Sequence, residues 1–192
     1  MDKNWISVDE QVDRINKLAH KNDTLIILGD VGEIKNISRL KAGYKVLIMG
    51  NHDTGSTNYK REIIKRIFDK DIHPDKAEIR AIMEKEFPGW AIRIEEDYDF
   101  HCPFNCWIAY ADNKLFDEVY EGPLCISEKI ILSHEPINLP YFVNIHGHDH
   151  AGKFRDGKNL NVAANVCNYT PINLKNEIKN GLLANVLSIH RM

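Results

Sequence analysis

Three histidines at alternate positions, His146, His148 and His150, stand in one short stretch, with Asp149 between the last two. That is a poor composition for a structural loop and a good one for metal ligation, because imidazole is a preferred ligand of zinc, iron, manganese and nickel. Gly50-Asn51-His52-Asp53 adds an amide, a second kind of imidazole position and a carboxylate. Taken alone, Asn-His-Asp would also suit an ordinary polar turn. Asp30 after Gly29, and His134 after Ser133, carry less weight singly, since acidic and polar residues commonly end strands at turns. An Asp/Asn/His set of this kind suits several divalent ions.

The elements that must position these residues follow one pattern. The apolar run 24–28 ends in Gly29-Asp30, and the run 45–49 ends in Gly50-Asn51-His52-Asp53. The run 130–132 ends in Ser133-His134-Glu135-Pro136, and the run 142–145 ends in His146-Gly147-His148-Asp149-His150. Each run has the length and composition of a buried strand. In open sheets ligands sit beyond the C-terminal ends of the strands, so four such endings imply one pocket. Ahead of them Ser7 with Glu10 forms a capping box, and Val8, Val12, Ile15 and Leu18 recur at helical spacing, which predicts a helix from about residue 7 to about residue 20. A further strand is expected over 160–166 and a short helix over 172–180.

The order of the groups is more telling than any one of them. The chain reads Gly29-Asp30-x-x-Glu33, then Gly50-Asn51-His52-Asp53, then His134, then Gly147-His148-x-His150. That order, each group at a strand end, resembles the calcineurin-like metallophosphoesterases over about residues 24 to 150. The last strand and Asn168-Tyr169-Thr170-Pro171 look like the small bacterial and phage members of that family. The resemblance implies an α/β fold, a layered sandwich of two mixed sheets flanked by helices. It implies two divalent ions (manganese, iron, zinc or nickel). Asp30 would bridge them; Asn51, His134 and His148 would complete one site, and His150 would serve the other. His52 would sit near the leaving oxygen as acid or electrostatic stabiliser, with Asp53 fixing its orientation. Glu33 matches an acidic position that supports the ligands. His146 has no assigned family role and reads as a supporting or a structural residue. Two ions roughly 3.5–4 Å apart would make hydroxide available near neutral pH for in-line attack on phosphorus, without a covalent enzyme intermediate. The substrate would be a small phosphate monoester, diester or nucleotide.

One motif of the family has no counterpart. Its members usually begin with a central strand carrying Asp-x-His, and no such motif precedes Asp30. Asp71-Ile72-His73 and Asp99-Phe100-His101 have the right letters after the second motif and are read as coincidence. Asp9 lies in the capping box and is read as helical. The expectation is a chain that begins inside a longer one, with its first strand missing, because every later motif is intact. Its rivals are a natural variant with one good metal site and a binding module on the same fold that keeps at most one metal.

Length, charge and the remaining segments bound the picture. A chain of 192 residues suits one domain, 1–192, with an insertion or cap at about 55–123. A net charge of -3 gives no help to nucleic-acid binding, so the local set Lys60, Arg61, Lys65 and Arg66 reads as a solvated helix face. No apolar run approaches the roughly 20 residues of a membrane span, and no signal segment opens the chain, so a cytoplasmic protein with free thiols at Cys102, Cys106, Cys125 and Cys167 is expected. His101, Cys102 and Cys106 lack the second ligand pair of a zinc site. Within the insertion, Ile63, Ile64, Ile67 and Phe68 suggest one helix. Ile79, Ile82, Met83 and Phe87, after an Asp75 cap, suggest another. Trp90, Ile92 and Ile94 alternate as in a strand. The aromatic stretch Tyr98, Phe100, Phe104, Trp107 and Tyr110 reads as a satellite core, or as a box for a flat ligand.

Overall fold

A computed structural model describes residues 5–53, 59, 62–96, 105–113 and 115–186. The chain divides into two compact units, one formed by Met1–Tyr59 with Phe116–Met192 and the other by Lys60–Leu115. The architecture is mixed α/β, as expected. It is carried on three small sheets, one parallel, one mixed and one antiparallel, with few helices, rather than on two mixed sheets.

The first unit opens with helix α1, Val8–Leu18, capped by Ser7, whose side chain accepts from the Glu10 amide. Strands β1 (Thr24–Ile27) and β2 (Tyr44–Ile48) pair in parallel, separated by a 3-10 helix at Ile34–Arg39. Strands β3 (Glu62–Asp69), β4 (Ala91–Glu96) and β5 (Cys106–Asn113) lie in the second unit. Back in the first unit, β6 (Glu118–Tyr120) joins β2 in parallel. β7 (Leu124–Ser127), β8 (Ile130–Ser133), β9 (Val143–His146), β10 (Arg155–Asp156) and β11 (Asn159–Asn161) build a five-stranded sheet in the order β10-β11-β9-β8-β7. Its middle three strands are parallel and its edges antiparallel. The apolar runs are explained by burial: Ile48 of β2, Ile130 and Leu132 of β8, Val143 and Ile145 of β9 and Leu160 of β11 meet in one cluster with Leu182 and Val186. Each such side chain contributes about 1.5–3 kcal/mol on burial. Both sheets of the unit therefore hang their loops from one core.

The expected strand over 160–166 stops pairing at Asn161. There the Asn161 side chain accepts from the Ala163 amide, and the Ala163 carbonyl accepts from the amides of Val166 and Cys167. Local bonds turn the chain before a ladder can continue. Helix α3, Leu174–Lys179, follows.

In the second unit, β3, β5 and β4 form an antiparallel sheet. The segment holding Ile63, Ile64, Ile67 and Phe68 is strand β3, not a helix. Ile64 and Phe68 face the cluster of Ile79, Met83, Trp107, Ala109 and Ala111, while Ile63 and Ile67 are 52% and 55% exposed. The expected second helix is present as α2, Lys76–Glu86, capped by the Asp75 carboxylate. Trp107 belongs to this core. Tyr98, Phe100, Phe104, the Asp99-Phe100-His101 triplet, Cys102, Lys60 and Arg61 lie outside the described residues. Cys125 and Cys167 are free thiols, and Cys106 is buried. Among the described residues, no helix is long and apolar enough to cross a membrane.

Candidate metal centre

His134 follows β8 directly and is 6% exposed. Its Nδ1 lies 2.7 Å from the Leu28 carbonyl oxygen, just beyond β1. A carbonyl can only accept, so Nδ1 carries the proton and the neutral ring presents a lone pair at Nε2. Three heads converge on that nitrogen: Asn51 Oδ1 at 2.9 Å, His148 Nδ1 at 2.9 Å and Asp30 Oδ2 at 3.5 Å. The His134 and His148 rings meet edge to face with centroids 4.8 Å apart. Asp30, His134 and His148 each offer a ligand atom, and those atoms lie within 4.8 Å of one another. These three could hold one metal ion, with the Asn51 oxygen beside them.

The spacing passes a simple test. Ligand atoms about 2.1 Å from a shared cation are roughly 3.0 Å apart in octahedral and roughly 3.4 Å apart in tetrahedral coordination. The separations from His134 Nε2, 2.9, 2.9 and 3.5 Å, lie close to those two values. The donor set passes a second test. The oxygens of Asp30 and Asn51 are acceptors, and they face an imidazole lone pair. Such a group of lone pairs is favourable only around a proton or a cation.

The loops can approach this closely because two positions lack a side chain. A methyl group on Gly29 would stand 2.6 Å from Gly50 Cα, and one on Gly50 would stand 2.8 Å from His134 Cε1. Asp30 itself has φ 53°, in the left-handed region. Asp53 holds it there. Its Oδ2 accepts from the amides of Asp30 (2.9 Å) and Gly50 (2.8 Å), and its Oδ1 from the amide of Val31 and the hydroxyl of Tyr59, both at 3.0 Å. Asp53, expected to orient His52, is thus committed to clasping the Asp30 loop to the Gly50 loop. The His52 ring is exposed, while its amide donates to Asp30 Oδ1 at 3.0 Å.

The other expected residues are not members of the Asp30, His134 and His148 group. His150 is exposed, with Nδ1 3.0 Å from Asn165 Oδ1. Glu33 is exposed and faces Lys35, which holds its carboxyl below the usual range through a hydrogen bond and charge. His146 is buried, its Nδ1 has no hydrogen-bond partner, and burial is the main cause that pushes its imidazole down, against a smaller opposing pull from Asp149. Asp9 pairs with Arg39, and His73 with Glu78. Sequence reading missed the Leu28 carbonyl, Tyr59 and Asn165. A backbone oxygen has no letter in the sequence, and a tyrosine or asparagine outside a motif gives no signal until the fold brings it near. Comparison with protein-family models, with curated proteins and with solved structures finds no match.

Proposed function

We propose that this protein is a metal-dependent hydrolase of small phosphate esters, of the calcineurin-like metallophosphoesterase kind. One observation carries the reading: Asp30, Asn51, His134 and His148, distant in sequence, bring their heads together around His134 Nε2. The shared core of the parallel sheet and the five-stranded sheet supports that family's layered two-sheet fold as the finer description of the first unit.

Asp30, Asn51, His134 and His148 would hold one cation. A second cation, which Asp30 and His150 would help to hold, is the finer part of the proposal. Such ions supply Lewis acidity, which makes hydroxide available near neutral pH and draws charge from a phosphoryl oxygen. The protein's own part is positional. The Leu28 carbonyl fixes the His134 tautomer, the Asp53 clasp fixes Asp30, and Gly29 and Gly50 let the loops close. The exposed His52 ring is free to meet the leaving oxygen as a proton donor or a charge stabiliser.

The test uses the full chain, stripped of metal and reloaded with manganese, against p-nitrophenyl phosphate and its bis ester. Turnover that Asp30→Asn and His148→Ala each abolish is the expected result. A metal content near one per chain with no turnover on either ester would favour the rival reading, a binding module on the same fold.

A further inference from the structure

We propose that Asn165 is a positioning residue that locks His150 in a single tautomer, with the proton on Nδ1 and the lone pair on Nε2. Two contacts define the pair. Asn165 Nδ2 donates to the His150 carbonyl at 2.7 Å, and Asn165 Oδ1 lies 3.0 Å from His150 Nδ1. The first contact decides the second. A carbonyl accepts only, so the amide nitrogen must face it, and the amide oxygen is the end presented to the ring. That oxygen also accepts only, so Nδ1 is the protonated nitrogen, and Nε2 of the neutral ring is left as the Lewis base.

His150 is exposed and Asn165 only half-buried, so the constraint must come from what holds Asn165. It sits in a tight turn after β11. The Cys167 amide donates to the Ala163 carbonyl at 3.0 Å, and the Tyr169 amide to the Ala164 carbonyl at 2.6 Å. Asn168 and Tyr169, with φ 51° and 54°, end the turn in the left-handed region. Arg14 of α1 donates to the Asn168 carbonyl at 2.6 Å. Asn161 works alongside, its Nδ2 donating to the Asp149 carbonyl at 2.6 Å. Two asparagines of one segment thus grip consecutive carbonyls of the histidine loop, and one of them also sets the ring. The consequence rests on the proposed function, in which His150 Nε2 is the nitrogen that meets a cation. A ligand already held in that tautomer and orientation binds without rearrangement, as hydrogen-bonded metal histidines do.

The experiment is a long-range proton–nitrogen spectrum of the metal-free full chain with labelled histidine, recorded well above the imidazole range of about 6.5. His150 is assigned by its loss in His150→Gln. The expected result is a protonated Nδ1 and bare Nε2 in the wild type and in Asn165→Asp, whose carboxylate gives up the bond to the His150 carbonyl but still accepts from Nδ1. In Asn165→Leu the proton shifts toward Nε2 while the remaining histidine signals stay in place. A wild-type proton on Nε2, or an unchanged tautomer in Asn165→Leu, overturns the proposal. Manganese titration gives a second readout. Asn165→Leu weakens the binding that depends on His150 by about 10–100-fold, and Asn165→Asp retains it. The expected spectrum with no His150-dependent manganese binding would sink the two-cation reading and leave the tautomer lock standing.

Discussion

Asp30 sits in a backbone conformation that costs about 1–2 kcal/mol, and the carboxylate of Asp53 is what makes it the stable one. Both Asp53 oxygens face donors, so replacing either with an amide group sets N–H against N–H. Asp53→Asn is therefore expected to cost about 1.5–3 kcal/mol in urea unfolding of the metal-free protein, the range for hydrogen bonds to a charged group. It should also abolish manganese binding, because Asp30 loses its place. Tyr59→Phe removes a single bond to the same carboxylate and keeps the edge contact with Phe116, so a loss at the foot of that range, about 1.5 kcal/mol, is expected. Equal losses in the two variants would mean that the amides of the two loops are not what Asp53 supports. His146 gives a separate prediction. Burial lowers its pKa from 6.5, so below that value the unfolded chain binds the proton more readily than the folded one. Its stabilising effect is complete above about 6.5 and is lost as the pH falls through the folded value, at no more than about 1.4 kcal/mol per pH unit. In metal-free protein, His146→Leu should flatten the fall of the urea midpoint between about pH 7 and about pH 5. An equally steep fall in that variant would place the titration elsewhere.

At the scale of elements, what could be read from the sequence depended on whether a segment's pattern fits one structure only. Ser7 with Glu10 and Asp75 with Glu78 announced α1 and α2, because a cap followed by a 3.6-residue stripe has few other uses. The runs before Asp30, Asn51, His134 and His146 announced β1, β2, β8 and β9, because strands in parallel sheets are apolar throughout. β3 escaped because Ile63, Ile64, Ile67 and Phe68 satisfy a helical stripe and a two-faced strand equally well, and only the partner β5 decides. The meeting of Asp30, Asn51, His134 and His148 was legible from their four strand-end motifs, whereas the contacts of Asp53 and Asn165 are ones that spacing does not encode. The strand assignment of β3 makes its own prediction. Phe68 faces the α2 core and Ile67 faces away, so Phe68→Ala should cost about 1.5–3 kcal/mol. Ile67→Ala should change stability by no more than about 0.5 kcal/mol. Similar losses from both, followed by tryptophan fluorescence, would favour one buried helical stripe.

For the molecule as a whole, the candidate centre is a property of the folded chain. Asp30, Asn51, His134 and His148 follow strands of two different sheets, and only the common core of Ile48, Ile130, Leu132, Val143 and Ile145 brings those strand ends to one place. An unfolded chain offers the same side chains without that convergence, so a cation binds the native state far better and shifts the folding equilibrium toward it. At a concentration about 100 times the dissociation constant, one bound ion adds about 2.7 kcal/mol. For a chain of this size that raises the melting temperature by about 5–10 °C. Manganese should produce this rise in the wild type, a chelator should reverse it, and His148→Ala should remove it. His150→Ala should keep most of it, because His150 does not belong to the Asp30, His134 and His148 group. A melting temperature indifferent to manganese, zinc, iron and nickel alike would show that the four heads meet without a cation. The hydrolase reading would fall with it, since it draws on that cluster of lone pairs, and a binding module without a metal would be left.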